Sequence, residues 1–600
     1  MYPDSIRNNI FYNHNPLFNY AKITDSKKHL DRKRKRMACI STKIEVLPSI
    51  FIYGLYHLNT IIRNEIRVKF AVNLQQKTNY ITYAECNSGL KVSIIDLGFN
   101  SAKLVNYHVN RKDNSFKAYE QEGAKVKLGQ DLHHTGILGR EPIQRTIHTL
   151  KLFRDIVNFQ CVKYVLSIAT SAVREANNKN DFLHEVLQST GFRFRVLSGK
   201  EEALYSYLGA LQSTCIPTAL FFDLGGGSLE LVYTENFKIK KLISLPLGAL
   251  RLSQSYSDVG GRLTKKGYSR MEEHIIKNLP DRKGLDISPD TTLVGVGGTL
   301  RAMARYDQET KKYPLDKIHN YSIDFDHIHS INSTLRKMTS YEIAKIDAVG
   351  TNRAETITAG SCIMKVLMQK LEFENILVSA QGLREGILSA FLQSSKGYYL
   401  QNINQNQIQR QVKHCCKPEK IPEFTSTLVK PFYSLGLMKE REYEILAHAI
   451  RQISGLPPTT NLHNLFYMII DEDNPHLSHR EQLILAISIV RTKKAKTANS
   501  LFARYSSIMQ PQNKKSIEKI AACLSLSEIL ERAKSKVRFV KCNQKEIVLT
   551  FIRSTENNTL PVILIESVLK DFREAFDIPV TYSVPLIPSR VFTKPQPIGE

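Results

Sequence analysis

Long apolar runs are missing from this sequence. No stretch reaches the roughly 18 consecutive apolar residues that a membrane-spanning helix needs. The nearest candidate, residues 47–62, is interrupted by His57 and Asn59, and we expect it to be a buried or interfacial segment. We find no secretory signal either. These absences predict a protein that does not span a membrane.

CxxC pairs are also missing, although the chain has nine cysteines. An odd number of cysteines without metal-binding spacing is typical of reduced thiols in a cytoplasmic protein. We therefore expect reduced thiols and a cytoplasmic location.

Acidic residues are scarce relative to basic ones: 57 against 83, for a formal net charge of +26 over 600 residues. The excess runs along the whole chain, which favours an anionic partner such as nucleic acid or another polyphosphate; the alternative is a merely basic surface. The length predicts roughly three or four domains. Residues 1–90 are a poorly patterned basic extension. Its basic run, residues 27–36, could contact nucleic acid or acidic lipid or be a solvated arm.

The stretch FFDLGGGSLEL, residues 221–231, places a carboxylate at the end of an apolar run and follows it with three glycines. Asp223, Ser228 and Glu230 surround backbone that carries no side chains, as a site for a phosphate chain and its metal ion requires. A plain glycine hairpin is the alternative explanation.

The stretch IIDLGFNSAKL has the same design, with Asp96, Gly98, Asn100 and Ser101 between two apolar runs. Two such turns suggest two similar halves that face each other across a cleft, each offering a turn to one phosphate chain. Coincidence is the alternative.

Three further strand-to-helix junctions carry polar residues suited to phosphate. In residues 164–178, Thr170 and Ser171 could cap a helix or bind phosphate, with Arg174 one turn further on. Glycine-rich turns open the predicted helices within 291–306 and 374–392, where phosphate docks on helix N-terminal amides.

A fourth junction, residues 192–211, opens a predicted helix with Ser198, Gly199, Glu201 and Glu202. Acidic residues in a first helical turn often only offset the helix dipole. They could instead supply a general base for water, with a pKa raised by the neighbouring charge.

The order of these turns resembles the exopolyphosphatase and guanosine pentaphosphate phosphatase family over about residues 92–395. The resemblance implies two ribonuclease-H-like α/β domains of the actin and hexokinase superfamily around a cleft, at 91–217 and 218–398. It implies release of orthophosphate from inorganic polyphosphate or guanosine pentaphosphate with Mg²⁺ or another divalent cation, and a homodimer. Nucleic acid becomes an unlikely partner on this reading.

The resemblance also implies roles for individual residues. Glu202 would be the general base, and Asp223 and Glu230 would hold metal or orient water, with Asp96 as a further metal ligand. Phosphate would be bound by the following residues: Asn100, Ser101, Lys103, Arg174, Gly225, Gly226, Gly227, Ser228, Gly297, Gly298, Thr299 and Arg384.

The chain departs from the family pattern at Phe99, Lys103 and Leu229, where the family usually has Ser, Arg and Thr. Lysine keeps the charge of arginine but loses its bidentate fork, so these changes put phosphate or metal affinity in doubt more than the fold.

Long members of the family carry a helical HD-type domain after the catalytic half. At 415–535 the apolar spacing is helical, but Arg451 and Gln452 stand where the His-Asp pair would fall, and His463 has no partners. We expect a degenerate HD-like domain used for dimerisation or for holding a long anion, in which residues 491–496 could track polyphosphate or be a solvated helix end. Residues 536–600 predict a small α+β domain.

Three functions therefore stay open at this point. The first is an exopolyphosphatase, with a guanosine pentaphosphate phosphatase as its nearest rival. The second is an ATP-dependent kinase or chaperone ATPase of the same superfamily. The third is a non-catalytic protein that binds polyphosphate or nucleic acid.

Overall fold

The computed structural model describes most of the chain from residue 90 onward, and these residues belong to one compact unit, Gly89–Glu600. The predicted extension 1–90 lies outside the described residues except for residue 90. The described ranges are 90–110, 114–130, 132–258, 263–394, 405–415, 423–454, 461–472, 474, 477–532, 536–542, 546–552 and 562–583.

The first lobe contains a five-stranded mixed sheet in the order β3-β2-β1-β4-β5. An antiparallel hairpin forms its centre, and parallel strands follow on one side. Its elements are β1 (Leu90–Leu97), β2 (Ser101–Val109), β3 (Phe116–Lys125), α1 (Leu132–Thr135), α2 (Arg140–Phe159), β4 (Tyr164–Ala169), α3 (Ser171–Glu175), α4 (Lys179–Thr190), β5 (Arg195–Val196) and α5 (Gly199–Thr214).

The second lobe contains a six-stranded mixed sheet in the order β10-β11-β9-β6-β7-β8. Its central hairpin and following parallel strand repeat the arrangement of the first lobe. Its elements are β6 (Ala219–Leu224), β7 (Leu229–Glu235), β8 (Lys238–Leu245), α6 (Ala249–Tyr256), α7 (Lys265–Asn278), α8 (Arg282–Leu285), β9 (Thr292–Val296), α9 (Gly298–Thr310), β10 (Ser322–Asp324), α10 (Phe325–Leu335), α11 (Ser340–Ile343), α12 (Ile357–Leu371), β11 (Asn375–Val378) and α13 (Leu383–Leu392).

Helices α5 and α13 pack on each other between the two sheets. A Cβ atom at Gly209 would overlap the backbone of Gly382, and one at Gly386 would overlap the backbone of Tyr205. Because only glycine allows two helices to approach this closely, these positions bring the first turns of both helices toward the same cleft. The prediction of two α/β lobes is confirmed.

A helical region and a small sheet follow the two lobes. The sheet has the order β12-β13-β14. Buried residues of the helices and of the described part of the sheet share one hydrophobic core, from Val429 to Val580. The elements are α14 (Gln405–Cys415), α15 (Glu423–Ser434), α16 (Glu440–Ser454), α17 (Leu462–Asp471), α18 (His479–Lys493), α19 (Ala495–Arg504), α20 (Asn513–Arg532), β12 (Lys536–Cys542), β13 (Ile547–Ile552), α21 (Val562–Phe576) and β14 (Val580–Ser583).

The HD-like character of this region and the separate C-terminal domain stay predictions. Within the part of the chain that the structure describes, no helix is both long and apolar enough to cross a membrane. Cys362 and Cys523 carry free thiols, but Cys215 is disulfide-bonded. The expectation of reduced thiols throughout is therefore wrong at Cys215.

Candidate active site

The two predicted turns close two equivalent hairpins. In β1–β2, Asp96 is the cross-strand partner of Lys103, and in β6–β7, Asp223 is the partner of Glu230. Cross-strand partners place their side chains on the same face of a sheet. The first hairpin therefore presents an acid with a base, and the second presents two acids.

The backbones of the two turns are also alike. The Gly98 amide donates to the Ser101 carbonyl at 3.0 Å, and the Gly225 amide donates to the Ser228 carbonyl at 3.0 Å. These matching bonds make the two turns structurally equivalent, as the repeated sequence pattern predicts.

The turns lie directly against each other. A Cβ atom at Gly226 would be 3.3 Å from Cβ of Phe99, and one at Gly227 would be 2.5 Å from both the Phe99 ring and Oγ of Ser171. Gly227 is therefore needed because no side chain fits between the lobes at this point. Phe99, a departure from the family pattern, is buried and fills this contact.

A cavity of about 150 Å³ lies between the turns. Most of the predicted site residues line it, and two do not: Gly227 packs in the contact between the turns, and Arg174 reaches the site through Glu202. The predicted residues that line the cavity are Asp96, Asn100, Ser101, Lys103, Glu202, Asp223, Gly225, Gly226, Ser228, Glu230, Gly297, Gly298, Thr299 and Arg384.

Two carboxylates lie in the first turn of α5, and the sequence does not show which of them faces the site. The structure places them in different environments. Glu201 forms a capping box with Ser198 and an ion pair with Arg195, so it stabilises the helix start. Glu202 is 8% exposed and faces the cavity, where Nη1 of Arg174 donates to its Oε2 at 2.8 Å. Burial raises the pKa of Glu202 to about 7, although Arg174 opposes the shift.

Three more carboxyls line the cavity: Glu230 is buried, and Asp96 and Asp223 are partly buried. Burial raises the pKa of Asp96 and of Asp223, and burial together with Glu202 raises the pKa of Glu230 well above its usual value. Serine hydroxyls hold two of these side chains in place. The bonds are Ser206 Oγ to Asp223 Oδ2 at 2.5 Å and Ser244 Oγ to Glu230 Oε1 at 2.9 Å.

Four cationic side chains also line the cavity: Lys103, Arg301, Arg353 and Arg384. Burial, with the nearby Arg384 and Arg301, lowers the pKa of Lys103 to about 7, and burial lowers the pKa of Arg353 to about 10. Arg384 is 8% exposed, and its Nη1 has no hydrogen-bond partner among the described residues. A buried, unpaired guanidinium nitrogen is suited to an anionic ligand.

Arg301 and Arg353 are absent from the predicted site. Arg301 follows the GVGG turn by one helical turn, a signal of the same kind as Arg174, and could have been found. Arg353 lies in an irregular segment, and only tertiary packing brings it to the start of α9, where a Cβ atom at Gly298 would overlap its guanidinium. Gly297 enters α9 with a φ of 113°, a conformation that favours glycine.

The site offers carboxylate oxygens, the ligands that Mg²⁺ prefers. Across the described ranges, no three His, Cys, Asp or Glu side chains are placed to hold a metal ion together. Sites for Mg²⁺ and phosphate commonly use one or two carboxylates and complete the shell with water and substrate oxygens. The cavity-lining carboxyls, with the unpaired Oδ1 of Asn100 beside them, fit such an ion.

Comparisons with known proteins identify the family of this chain. Residues 108–395 match the Ppx/GppA phosphatase family. Among solved structures, that of an Aquifex aeolicus member of this family is 30% identical and covers 50% of this chain and 96% of that one, with a TM-score of 0.42. The chain belongs to the Ppx/GppA phosphatase family.

Two curated relatives show how far the Ppx/GppA match extends. The bifunctional 3-dehydroquinate synthase/phosphatase of Fusobacterium nucleatum is 30% identical over 313 residues, which are 49% of this chain but 45% of that protein. The exopolyphosphatase 1 of Mycobacterium leprae is 24% identical over 311 residues, which are 51% of this chain and 90% of that protein. The family match runs from residue 108, near the end of β2, to residue 395, and so ends before the helical region.

Residues of the predicted degenerate HD site do not converge in the described structure. Arg451 and His463 are exposed, and Gln452 Nε2 donates to Glu472 Oε2 at 2.7 Å. In the basic stretch 491–496, Lys493 pairs with Glu528 at 2.6 Å. An anion that binds Lys493 would have to displace Glu528. Binding of polyphosphate along this stretch stays a prediction.

Proposed function

We propose that this protein is an exopolyphosphatase that releases the terminal phosphate of inorganic polyphosphate by attack of water activated by Glu202. One observation carries the proposal: a buried carboxyl with a pKa near 7 lies in the same cavity as four cationic side chains. A general base works best when its pKa lies near the working pH.

The residues of the cavity divide the chemistry between them. Lys103, Arg301, Arg353 and Arg384 would hold the phosphate oxygens and offset their charge. The amides of the two glycine turns and of the α9 N-terminus would fix the terminal phosphate between the lobes. Positioning of this kind, with little covalent chemistry, is what phosphoryl transfer requires.

Glu202 would accept the proton of the attacking water. Its ion pair with Arg174 orients the carboxylate and keeps the pKa from rising further. Asp223, Glu230 and Asp96 would offer one or two carboxylate ligands to the divalent cation, with water and substrate oxygens as its other ligands. When bound, the cation supplies neutralising charge to the phosphate oxygens.

Release of phosphate from guanosine pentaphosphate is the second candidate, because the same cavity chemistry serves both substrates. The name of the Mycobacterium leprae relative, an exopolyphosphatase, favours polyphosphate. The homodimer is a further expectation from the family resemblance, and the cytoplasmic location is an expectation from the number and spacing of the cysteines.

Phosphate release from long-chain polyphosphate and from guanosine pentaphosphate, at equal phosphate concentration and with and without Mg²⁺, tests the proposal. We expect faster release from polyphosphate and dependence on Mg²⁺. Faster release from the nucleotide would move the assignment to the second candidate. Tight polyphosphate binding without any release would show a non-catalytic binder, and turnover of ATP alone would point to an ATPase.

A further inference from the structure

A buried histidine connects the helical region to the second lobe. His479, the first residue of α18, is 4% exposed, and its Nε2 donates to the backbone carbonyl of His319 at 2.8 Å. The hydroxyl of Tyr313 lies 2.9 Å from its Nδ1. Since a carbonyl only accepts, Nε2 of His479 carries a proton. Burial lowers the pKa of His479 to about 4, so the ring is neutral and Nδ1 accepts from Tyr313.

A second buried histidine continues the connection toward the cavity. His319 is 2% exposed, and its Nε2 donates to the Ser213 carbonyl at 2.9 Å while its Nδ1 accepts from the Ala380 amide at 3.3 Å. The carbonyl of Ala380 in turn accepts from Nη1 of Arg301 at 2.9 Å. Ala380 and Arg301 both line the cavity.

Ser213 gives this connection a second branch. It lies in the last turn of α5, the helix whose first turn carries Glu202, and its carbonyl is one of those that a helix leaves without an internal partner. His319 supplies the missing donor. Its ring therefore fixes both the far end of the Glu202 helix and the loop that holds Arg301.

Neighbouring bonds anchor the same segment to the helical region. Nζ of Lys317 donates to the Ile470 carbonyl at 2.8 Å, and Nδ2 of Asn320 donates to the Leu477 carbonyl at 3.1 Å. The helical region thus bonds residues 317–320 on one side of this segment. On the other side, the ring of His319 bonds the parts of the lobes that lie next to the cavity.

We propose that His479 and His319 are positioning residues through which the helical region sets the placement of Arg301 in the phosphate cavity. The proposal rests on the proposed function for its kinetic consequences. Loss of the His479 donor leaves the His319 carbonyl buried without that partner, and a buried polar group without a partner drives local rearrangement. On this proposal, the helical region supports the cavity of the two lobes.

Full-length His479→Leu and His479→Gln test the proposal beside the control His463→Ala, which removes an exposed histidine of the same region. Leucine retains bulk but no donor, whereas glutamine retains a donor. Hydrogen exchange of peptides covering residues 379–385 should be faster in His479→Leu, near wild type in His479→Gln, and unchanged in His463→Ala. Unchanged exchange in folded His479→Leu would overturn the proposal, whatever the activity.

Kinetics supply a second readout. Because Arg301 binds phosphate, we expect the KM for polyphosphate to rise in His479→Leu and kcat/KM to fall roughly tenfold or more, as small misplacements of binding groups do. A purely structural role would lower the folded fraction and kcat while KM stayed constant, and that result would contradict the proposal. If wild type releases no phosphate, the proposed function fails, and hydrogen exchange alone decides this inference.

Should His479→Leu not fold, His319→Gln replaces it, because glutamine carries both a donor and an acceptor but cannot reach both Ser213 and Ala380 as the ring does. Faster exchange in residues 379–385 of that variant supports the proposal, and wild-type exchange contradicts it.

Discussion

Arg174 and Glu202 form an ion pair of 2.8 Å at the edge of the cavity, yet the pKa of Glu202 stays near 7 because burial outweighs the attraction. Burial and the ion pair therefore act on the pKa of Glu202 in opposite directions. Removing Arg174 should raise the pKa of Glu202 further, since an opposing charge is lost.

Arg174→Gln should therefore move the rise of activity to higher pH. In wild type the ionised form of Glu202 accumulates as the pH rises through about 7. In the variant the pKa of Glu202 is higher, so the ionised form accumulates at higher pH. The pH profile of kcat/KM for phosphate release measures the shift. Arg140→Gln, which removes an exposed arginine paired with Glu185, serves as control. A lower or unchanged midpoint in Arg174→Gln would speak against Glu202 as the base.

Glu202→Gln should lower phosphate release by roughly 100-fold or more, the usual contribution of a general base. The adjacent Glu201→Gln is the matched control, because Glu201 lies in the same helical turn but bonds Ser198 and Arg195 and does not line the cavity. We expect Glu201→Gln to retain activity and to lose at most about 1 kcal/mol of stability, because glutamine can keep the capping box but not the ion pair. Equal losses of activity in the two variants would contradict the assignment.

Lys103→Arg should strengthen polyphosphate binding, and more so at high pH. Burial and nearby arginines lower the pKa of Lys103 to about 7. In the ligand-free protein the lysine therefore loses its charge above that pH, whereas an arginine stays charged and offers a bidentate fork. The KM for polyphosphate at pH 6.5 and 8.5 measures this. If the KM changes with pH in the same way in wild type and in the variant, Lys103 does not bind the substrate.

Glu230→Gln should stabilise the ligand-free protein at neutral and alkaline pH. A carboxyl whose pKa is raised by folding favours the folded state below its unfolded pKa, and this contribution is lost as the pH rises toward the folded pKa. Glutamine cannot ionise, so the difference should grow with pH, by at most about 1.4 kcal/mol per pH unit.

Thermal unfolding without Mg²⁺ or phosphate, between pH 4.5 and 8, checks this effect. Glu235→Gln on the same strand is the control, because Glu235 pairs with Lys240 and its pKa is lowered. It should show no such gain. A wild type more stable than Glu230→Gln at pH 8 would mean that the charged form is favoured in the cavity.

Short motifs determined much of the site. Asp96, Asp223, Glu230 and the glycine turns were predictable because a strand end, a carboxylate and side-chain-free backbone are adjacent in sequence. The helical and strand regions were also predictable from apolar periodicity, as in α2 and in the residues after 424. In each case the residues that act together lie within one local element.

Other features of the site could be recognised only in the folded structure. Packing of an irregular segment brought Arg353 onto the α9 N-terminus, and the contact between lobes explained Phe99, which from sequence was only a departure. His319 and His479 lie 160 residues apart, and no local pattern links them. The turns that can hold phosphate are predictable from the sequence alone, because each turn is made of neighbouring residues. The pKa of Glu202 and the placement of the arginines are not predictable in this way, because both depend on segments that meet only in the folded chain.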